Sequence, residues 1–378
     1  MKLLPAIILI LILNQTRAQE SGHVDEIYLK SPAVDLNMLG DTTSKKVLVY
    51  LPPSYTDSDK SYPVVYFLTG YGSEVDLMFN KGLKINQYLD KASMSGKIEE
   101  MILVVATSKI RLNYQRMEKS PYTWGAFYED SPVTGHWESF ITKELVPFID
   151  SNYRTIEKRE SRGISGHSMG GSGALCVGLR NPELFAHIYS ISSAVIGIQN
   201  LETSWMFESD KVIHKALDLI EELSIPNCGL NEYKNVLGNF IENDSLFNGN
   251  VILSFAYGSA YLGSSALYPP YFKYPFEKVN GKIVRNEETW REWQNKLTDF
   301  EPLLENYHKQ NLVMENIIIE YGCDDKNKLT QGNQSLSTLL YGYGIPHEFR
   351  FYNGGHGALN ERLRQFMFPY LSQHLSFN

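Results

Sequence analysis

The 378-residue sequence predicts an α/β fold, with a mostly parallel central sheet flanked by helices and a cap-like insertion. Three observations predict it. Short aliphatic runs, such as Tyr62-Pro-Val-Val-Tyr-Phe-Leu68 and Met101-Ile-Leu-Val-Val-Ala106, read as strands buried on both faces. Stretches with apolar residues at three and four spacing lie between such runs, so strands alternate with helices and consecutive strands run parallel. The third observation is Gly166-His-Ser-Met-Gly170, a G-x-S-x-G pattern placed where a strand is due to turn into a helix.

Residues 1–18 differ from all that follows. Lys2 gives a short positive start, 3–13 is almost wholly aliphatic, and Thr16-Arg-Ala18 precedes Gln19 as a small-residue cleavage site would. This reads as a signal peptide, since the apolar run is about half of the roughly 20 residues a membrane span needs. The expected product is a single domain, 19–378, with an insertion at about 196–310.

Strands are expected at 24–30 and 46–51, paired across the turn-rich 37–44, with Pro52-Pro53 ending the second. The strand 62–68 stops at Thr69-Gly-Tyr-Gly72. A helix is expected over 75–91 and a strand over 101–106. Trp137, Phe140, Ile141, Leu145, Val146 and Ile149 then mark an amphipathic helix over 136–149. Beyond the G-x-S-x-G turn, the small residues of 170–179 let a helix approach the sheet closely; Asn181-Pro182 ends it and 186–191 is the next strand. Regularity breaks over 196–311. There, 211–223 and 287–307 look helical, while Leu267-Tyr-Pro-Pro-Tyr-Phe-Lys-Tyr-Pro-Phe276 cannot form an ordinary helix. Strand 317–321, helix 331–341, strand 348–352, the loop Asn353-Gly-Gly-His356-Gly357 and a helix from 359 complete the chain.

Composition narrows the function. The chain carries 43% apolar and 21% charged residues and a net charge of -8, which argues against nucleic acid or an anionic membrane as partner. Cys176, Cys228 and Cys323 are too few for a disulfide framework, and Cys176 reads as a buried structural thiol. No Cys or His pair has metal-ligand spacing, so neither metal nor cofactor is expected. Asn243-Asp-Ser and Asn333-Gln-Ser match glycosylation sequons, which carry meaning only in a eukaryotic host.

A serine hydroxyl is a weak nucleophile that needs a neighbouring base, and the base needs an acid to fix its tautomer. Ser168, then Asp324-Asp325, then His356 each follow a predicted strand, so a parallel sheet brings all three to the strands' carboxyl ends. One of the two aspartates is expected to orient His356 while the other caps a turn. The amide of Met169, next after the serine, is the first candidate oxyanion donor, and the Tyr71 amide on the earlier loop is the second. His167 reads as a shape element of the turn rather than a base.

Val49-Tyr-Leu-Pro-Pro-Ser-Tyr55, Tyr62-Pro-Val-Val-Tyr-Phe-Leu-Thr-Gly70, Gly166-His-Ser-Met-Gly-Gly171, Asn181-Pro-Glu-Leu-Phe185, Gly322-Cys-Asp-Asp325 and Gly354-Gly-His356 resemble the esterase family of α/β-hydrolases. That family includes S-formylglutathione hydrolases, feruloyl esterases and mycolyltransferases. The resemblance implies an α/β-hydrolase fold and a serine esterase, and it supports Asp325, which matches the last position of the family's Gly-x-x-Asp turn. The segment 124–137 resembles a loop that borders the substrate pocket, which makes Trp124, Phe127 and Tyr128 candidate pocket residues or else core. The expectation is a secreted or periplasmic carboxylic-ester hydrolase acting on a small-molecule or carbohydrate-linked ester. An acyltransferase to a sugar or lipid alcohol and a non-catalytic binding module are the alternatives on the same scaffold.

Overall fold

In the computed structural model, residues 21–79, 82–110, 124–224, 229–243, 245–325 and 329–378 are described, apart from the side chains of Trp124 and 241–248. The segment 1–18 and Cys228 lie outside the described residues. Eight strands form the central sheet: β1 (His23–Lys30), β2 (Ser44–Leu51), β3 (Val64–Leu68), β4 (Ile102–Ala106), β5 (Arg162–His167), β6 (His187–Ile191), β7 (Asn316–Gly322) and β8 (Glu348–Tyr352). They lie in the order β1-β2-β4-β3-β5-β6-β7-β8. β2 is antiparallel to both β1 and β4, while each pairing from β4 through β8 is parallel. The sheet is therefore mostly parallel and the fold is that of an α/β-hydrolase.

Period-two alternation explains why the central strands are apolar throughout. Val64, Tyr66 and Leu68 of β3 enter the core on one face of the sheet, and Val65 and Phe67 enter the core on the other. β4 divides likewise, with Ile102, Val104 and Ala106 on the first face and Leu103 and Val105 on the second. A strand covered on both sides needs aliphatic residues at every position.

The helices include α1 (Ile85–Met94), α2 (Val146–Asn152), α3 (Met169–Arg180), α4 (Asp210–Leu223), α5 (Leu230–Asn243), α6 (Ser245–Tyr261), α7 (Glu287–Leu297), α8 (Glu301–His308), α9 (Thr330–Gly342), α10 (Leu359–Arg362) and α11 (Phe368–His374). Several depart from the sequence reading. The expected helix 75–91 is a short turn at Val75–Met78 followed by α1, because a Cβ on Gly82 would stand 1.9 Å from the Leu77 carbonyl oxygen and Lys84 takes φ 52°. The expected 136–149 helix opens with a helical turn at Trp137–Ser139 and a wider turn over Phe140–Leu145 before α2. The expected 287–307 helix is two: Pro302 belongs to the first turn of α8, where a missing N–H costs nothing, and would break a continuous helix. α5 and α6, and the ribbon Phe276–Val279 with Lys282–Arg285, are not among the elements expected from the sequence. The ribbon's turn is Asn280-Gly281, at φ 51° and 77°, the pairing that a type I′ hairpin demands.

One buried group in the sheet predicts how stability depends on pH. His187 is fully buried on β6; its Nε2–H donates to the Glu160 carbonyl at 3.0 Å and Nδ1 accepts from Asn316 Nδ2 at 2.9 Å. Burial lowers its pKa from the ordinary 6.5 to about 4. Between those values the unfolded chain binds the proton and the folded chain does not. This stability is present above pH 6.5 and is lost as pH falls toward 4, at up to about 1.4 kcal/mol per pH unit. Urea midpoints measured across that range are expected to fall with pH, and His187→Gln to flatten the slope; an unchanged slope would assign it to other groups.

Candidate active site

Ser168 joins β5 to α3 with φ 57° and ψ -117°, a conformation costing about 1–3 kcal/mol in a non-glycine residue. Its surroundings dictate that conformation. Ser168 N–H donates to the Ile191 carbonyl at 2.9 Å, and its own carbonyl accepts from Ala194 N–H at 2.9 Å and Ser172 N–H at 3.0 Å. A Cβ on Gly166 would lie 2.2 Å from the Gly170 oxygen, and one on Gly170 would lie 1.9 Å from the Leu68 oxygen. Any side chain at either position would push α3 off the sheet, which is the steric reason for the glycine spacing.

The loops after β7 and β8 bring the other candidates together. His356 Nδ1 lies 2.7 Å from Asp325 Oδ2, with the carboxylate 1% and the imidazole 21% exposed. An ionised carboxylate only accepts, so Nδ1 carries the proton and Nε2 keeps its lone pair. Asp324 is exposed and its N–H donates to the Gly354 carbonyl at 3.0 Å, which ties the two loops from below. Among the described residues neither the Ser168 hydroxyl nor His356 Nε2 makes a hydrogen bond. Catalytic hydrogen bonds of this kind tighten in the complex with substrate.

His167 connects the serine's turn to the loop of His356. Its ring lies 4.8 Å from the His356 ring, centroid to centroid, and its Nε2–H donates to the His356 carbonyl at 2.8 Å. Burial first, and then the neighbouring His356, push its pKa down to about 3, so it stays a neutral donor. A deeper frame backs the same loops. Fully buried Arg362 donates from Nε to Glu320 Oε1 at 2.5 Å, from Nη1 to Ser192 Oγ at 2.8 Å and from Nη2 to the Glu320 carbonyl at 3.0 Å. Tyr189 gives its hydroxyl proton to the same carboxylate. The frame thus joins the ends of β6 and β7 to the helix that follows His356. Neither His167's bond nor this frame was readable from the sequence, since the partners stand far apart in the chain.

The loop after β3 lies against the serine. A Cβ on Gly70 would come within 3.4 Å of Ser168 Cβ and 3.2 Å of the His167 oxygen. The N–H groups of Tyr71 and Met169 have no acceptor among the described residues, and the second of them opens α3, where the helix dipole favours negative charge. Phe127 is 2% exposed, with its ring 6.1 Å from Tyr71 and 4.0 Å from Tyr257. Tyr128 is fully buried and its hydroxyl reaches the Thr69 carbonyl at 3.0 Å and the Ala106 carbonyl at 3.3 Å. Both rings thus pack behind the loop; the side chain of Trp124 lies outside the described residues.

Asn333 is buried, with Nδ2 donating to the Ser193 and Leu329 carbonyls at 2.9 and 2.8 Å, so its sequon offers no accessible amide; Asn243-Asp-Ser falls partly outside the described residues. Among the described residues no three His, Cys, Asp or Glu side chains cluster as metal ligands, and no helix is long and apolar enough to cross a membrane. The arrangement combines a strained serine, an imidazole fixed by a buried carboxylate, and two amides without an acceptor among the described residues, which is the equipment of acyl transfer to and from a serine.

Comparison with known proteins points the same way. The family model described as "Putative esterase" matches residues 42–248, more than half of the chain. S-formylglutathione hydrolase of Bos taurus is 33% identical over 151 residues, 38% of this chain and 49% of that protein. An endo-1,4-beta-xylanase/feruloyl esterase of Xylanibacter ruminicola is 28% identical over 143 residues, 37% of this chain and 18% of that protein. The chain spans about half the length, or less, of the curated relatives it matches. Among solved structures, a ferulic acid esterase aligns with a TM-score of 0.55 at 20% identity, covering 93% of this chain and 98% of that one; at that identity the likeness speaks for the fold alone.

Proposed function

The chain belongs to the esterase family, and on that premise we propose that it is a serine carboxylic-ester hydrolase whose nucleophile is Ser168. The observation that carries the reading is the Asp325–His356 pair, clamped to His167, the residue beside the strained serine. Ser168 Oγ attacks the ester carbonyl as His356 Nε2 takes its proton, with Asp325 holding the imidazole in the tautomer that leaves Nε2 free and stabilising the imidazolium. The Tyr71 and Met169 amides hold the oxygen that becomes negative, and losing either would cost about a hundredfold to a thousandfold in rate. His356 then protonates the departing alcohol, and water deacylates the serine by the same route in reverse.

The substrate class we propose is an ester on a carbohydrate conjugate, met outside the cell or in the periplasm. Two observations support this: the 1–18 segment has the pattern of an export signal, and one relative carries a feruloyl esterase name. The residues of 196–310, placed between β6 and β7, would act as the cap that selects the acyl group. Purified protein is expected to hydrolyse p-nitrophenyl acetate or butyrate, and in a panel of acetylated and feruloylated sugars to favour one acyl type. Absence of turnover on every ester would refute the hydrolase, and product analysis with an added acceptor alcohol would reveal an acyltransferase instead.

A further inference from the structure

Phe127 and Tyr128 follow one another in the left-handed region, at φ 54° and 59°, although neither is glycine. Consecutive strained residues persist only where the surroundings over-determine them. Here they aim two buried rings at one target. The Tyr128 hydroxyl sits between the Thr69 and Ala106 carbonyls, and Thr69 itself donates its N–H to Ala106 at 3.1 Å. The Tyr128 hydroxyl therefore pins the first residue of the Thr69-Gly-Tyr71 loop to the end of β4. The nucleophile's helix makes room for this ring, since a Cβ on Gly173 would stand 2.5 Å from Tyr128 Cδ2. Phe127 backs the Tyr71 ring and is itself backed by Tyr257 of α6. At the head of the turn, a Cβ on Gly125 would lie 2.6 Å from Met169 Sδ and 2.8 Å from Tyr71 Cδ2. One turn thus touches both residues whose amides have no acceptor among the described residues.

We infer that the 125–128 turn positions the oxyanion hole, with Tyr128 as a positioning residue acting through the Thr69-Gly-Tyr71 loop rather than on substrate. The inference rests on the reading of Tyr71 and Met169 as oxyanion donors. Such donors work by being fixed in advance where charge develops, so releasing the loop lowers stabilisation of the tetrahedral intermediate while leaving ground-state binding intact.

The test compares wild type, Tyr128→Phe, Phe127→Leu and Ser168→Ala for kcat and KM on p-nitrophenyl butyrate, for affinity toward a trifluoromethyl ketone, and for thermal unfolding. A trifluoromethyl ketone adds to the serine and leaves its oxygen in the hole as an anion. Tyr128→Phe is expected to lower kcat about tenfold to a hundredfold with KM unchanged, and to weaken the ketone by a matching factor; Phe127→Leu shows the same split, smaller, and serves if Tyr128→Phe does not fold. A folded Tyr128→Phe with wild-type kcat and ketone affinity, beside an inactive Ser168→Ala, would overturn this inference alone. Full turnover by Ser168→Ala would overturn the serine reading and the inference with it.

Discussion

Ser168→Ala is expected to lower kcat by at least about a thousandfold while leaving the fold intact. Activity should vanish because the hydroxyl is the only atom of that residue placed to form an acyl bond. Stability should survive because the hydroxyl makes no hydrogen bond among the described residues, while the main-chain bonds to Ile191, Ala194 and Ser172 do not depend on it. Alanine also keeps the Cβ already tolerated at φ 57°, so the change in unfolding free energy should stay within about 0.5 kcal/mol. Hydrolysis of p-nitrophenyl butyrate together with a urea titration measures both. A folded Ser168→Ala protein that retains turnover would remove the serine from the chemistry.

The second large effect separates two adjacent carboxylates. Asp325→Asn is expected to reduce kcat by about ten-thousandfold, because an amide that donates toward Nδ1 would drive the imidazole into the tautomer whose Nε2 already carries a proton. Asp324→Asn should change kcat little, since that side chain is exposed and its structural contribution runs through its main-chain N–H to Gly354. Measuring kcat for both variants across pH decides between them. The reverse ranking would place the acid one residue earlier.

Much of the fold was legible because burial imposes local patterns. β3 and β4 read as strands since both sheet faces are covered and every position must be apolar. α6 went unread for the same reason in helical form: its run Asn250-Val-Ile-Leu-Ser-Phe-Ala-Tyr257 has no polar face, so period alone cannot tell helix from strand. Asn280-Gly281 is a local signal for the hairpin, since both residues take the positive φ its turn demands. The break between α7 and α8 was likewise written locally, at Pro302. For Tyr128, by contrast, nothing local distinguishes a pocket wall from a residue that props a loop. Its role depends on Thr69 and Ala106, which stand at the ends of two neighbouring strands and outside its own segment.

By itself the sequence determined the turn around Ser168, because Gly166 and Gly170 answer contacts between elements only a few residues apart, and a steric requirement at fixed spacing leaves a pattern that can be read. It also determined the order of serine, aspartate and histidine along the strands. Only the tertiary structure decided which carboxylate faces His356, that His167 ties Ser168's turn to the His356 carbonyl, and that Phe127 and Tyr128 stand behind the loop carrying Tyr71. Those are meetings of groups 31 to 189 residues apart in the chain. No spacing records them, because the packing of the sheet, not the connectivity of the chain, sets the distance between them.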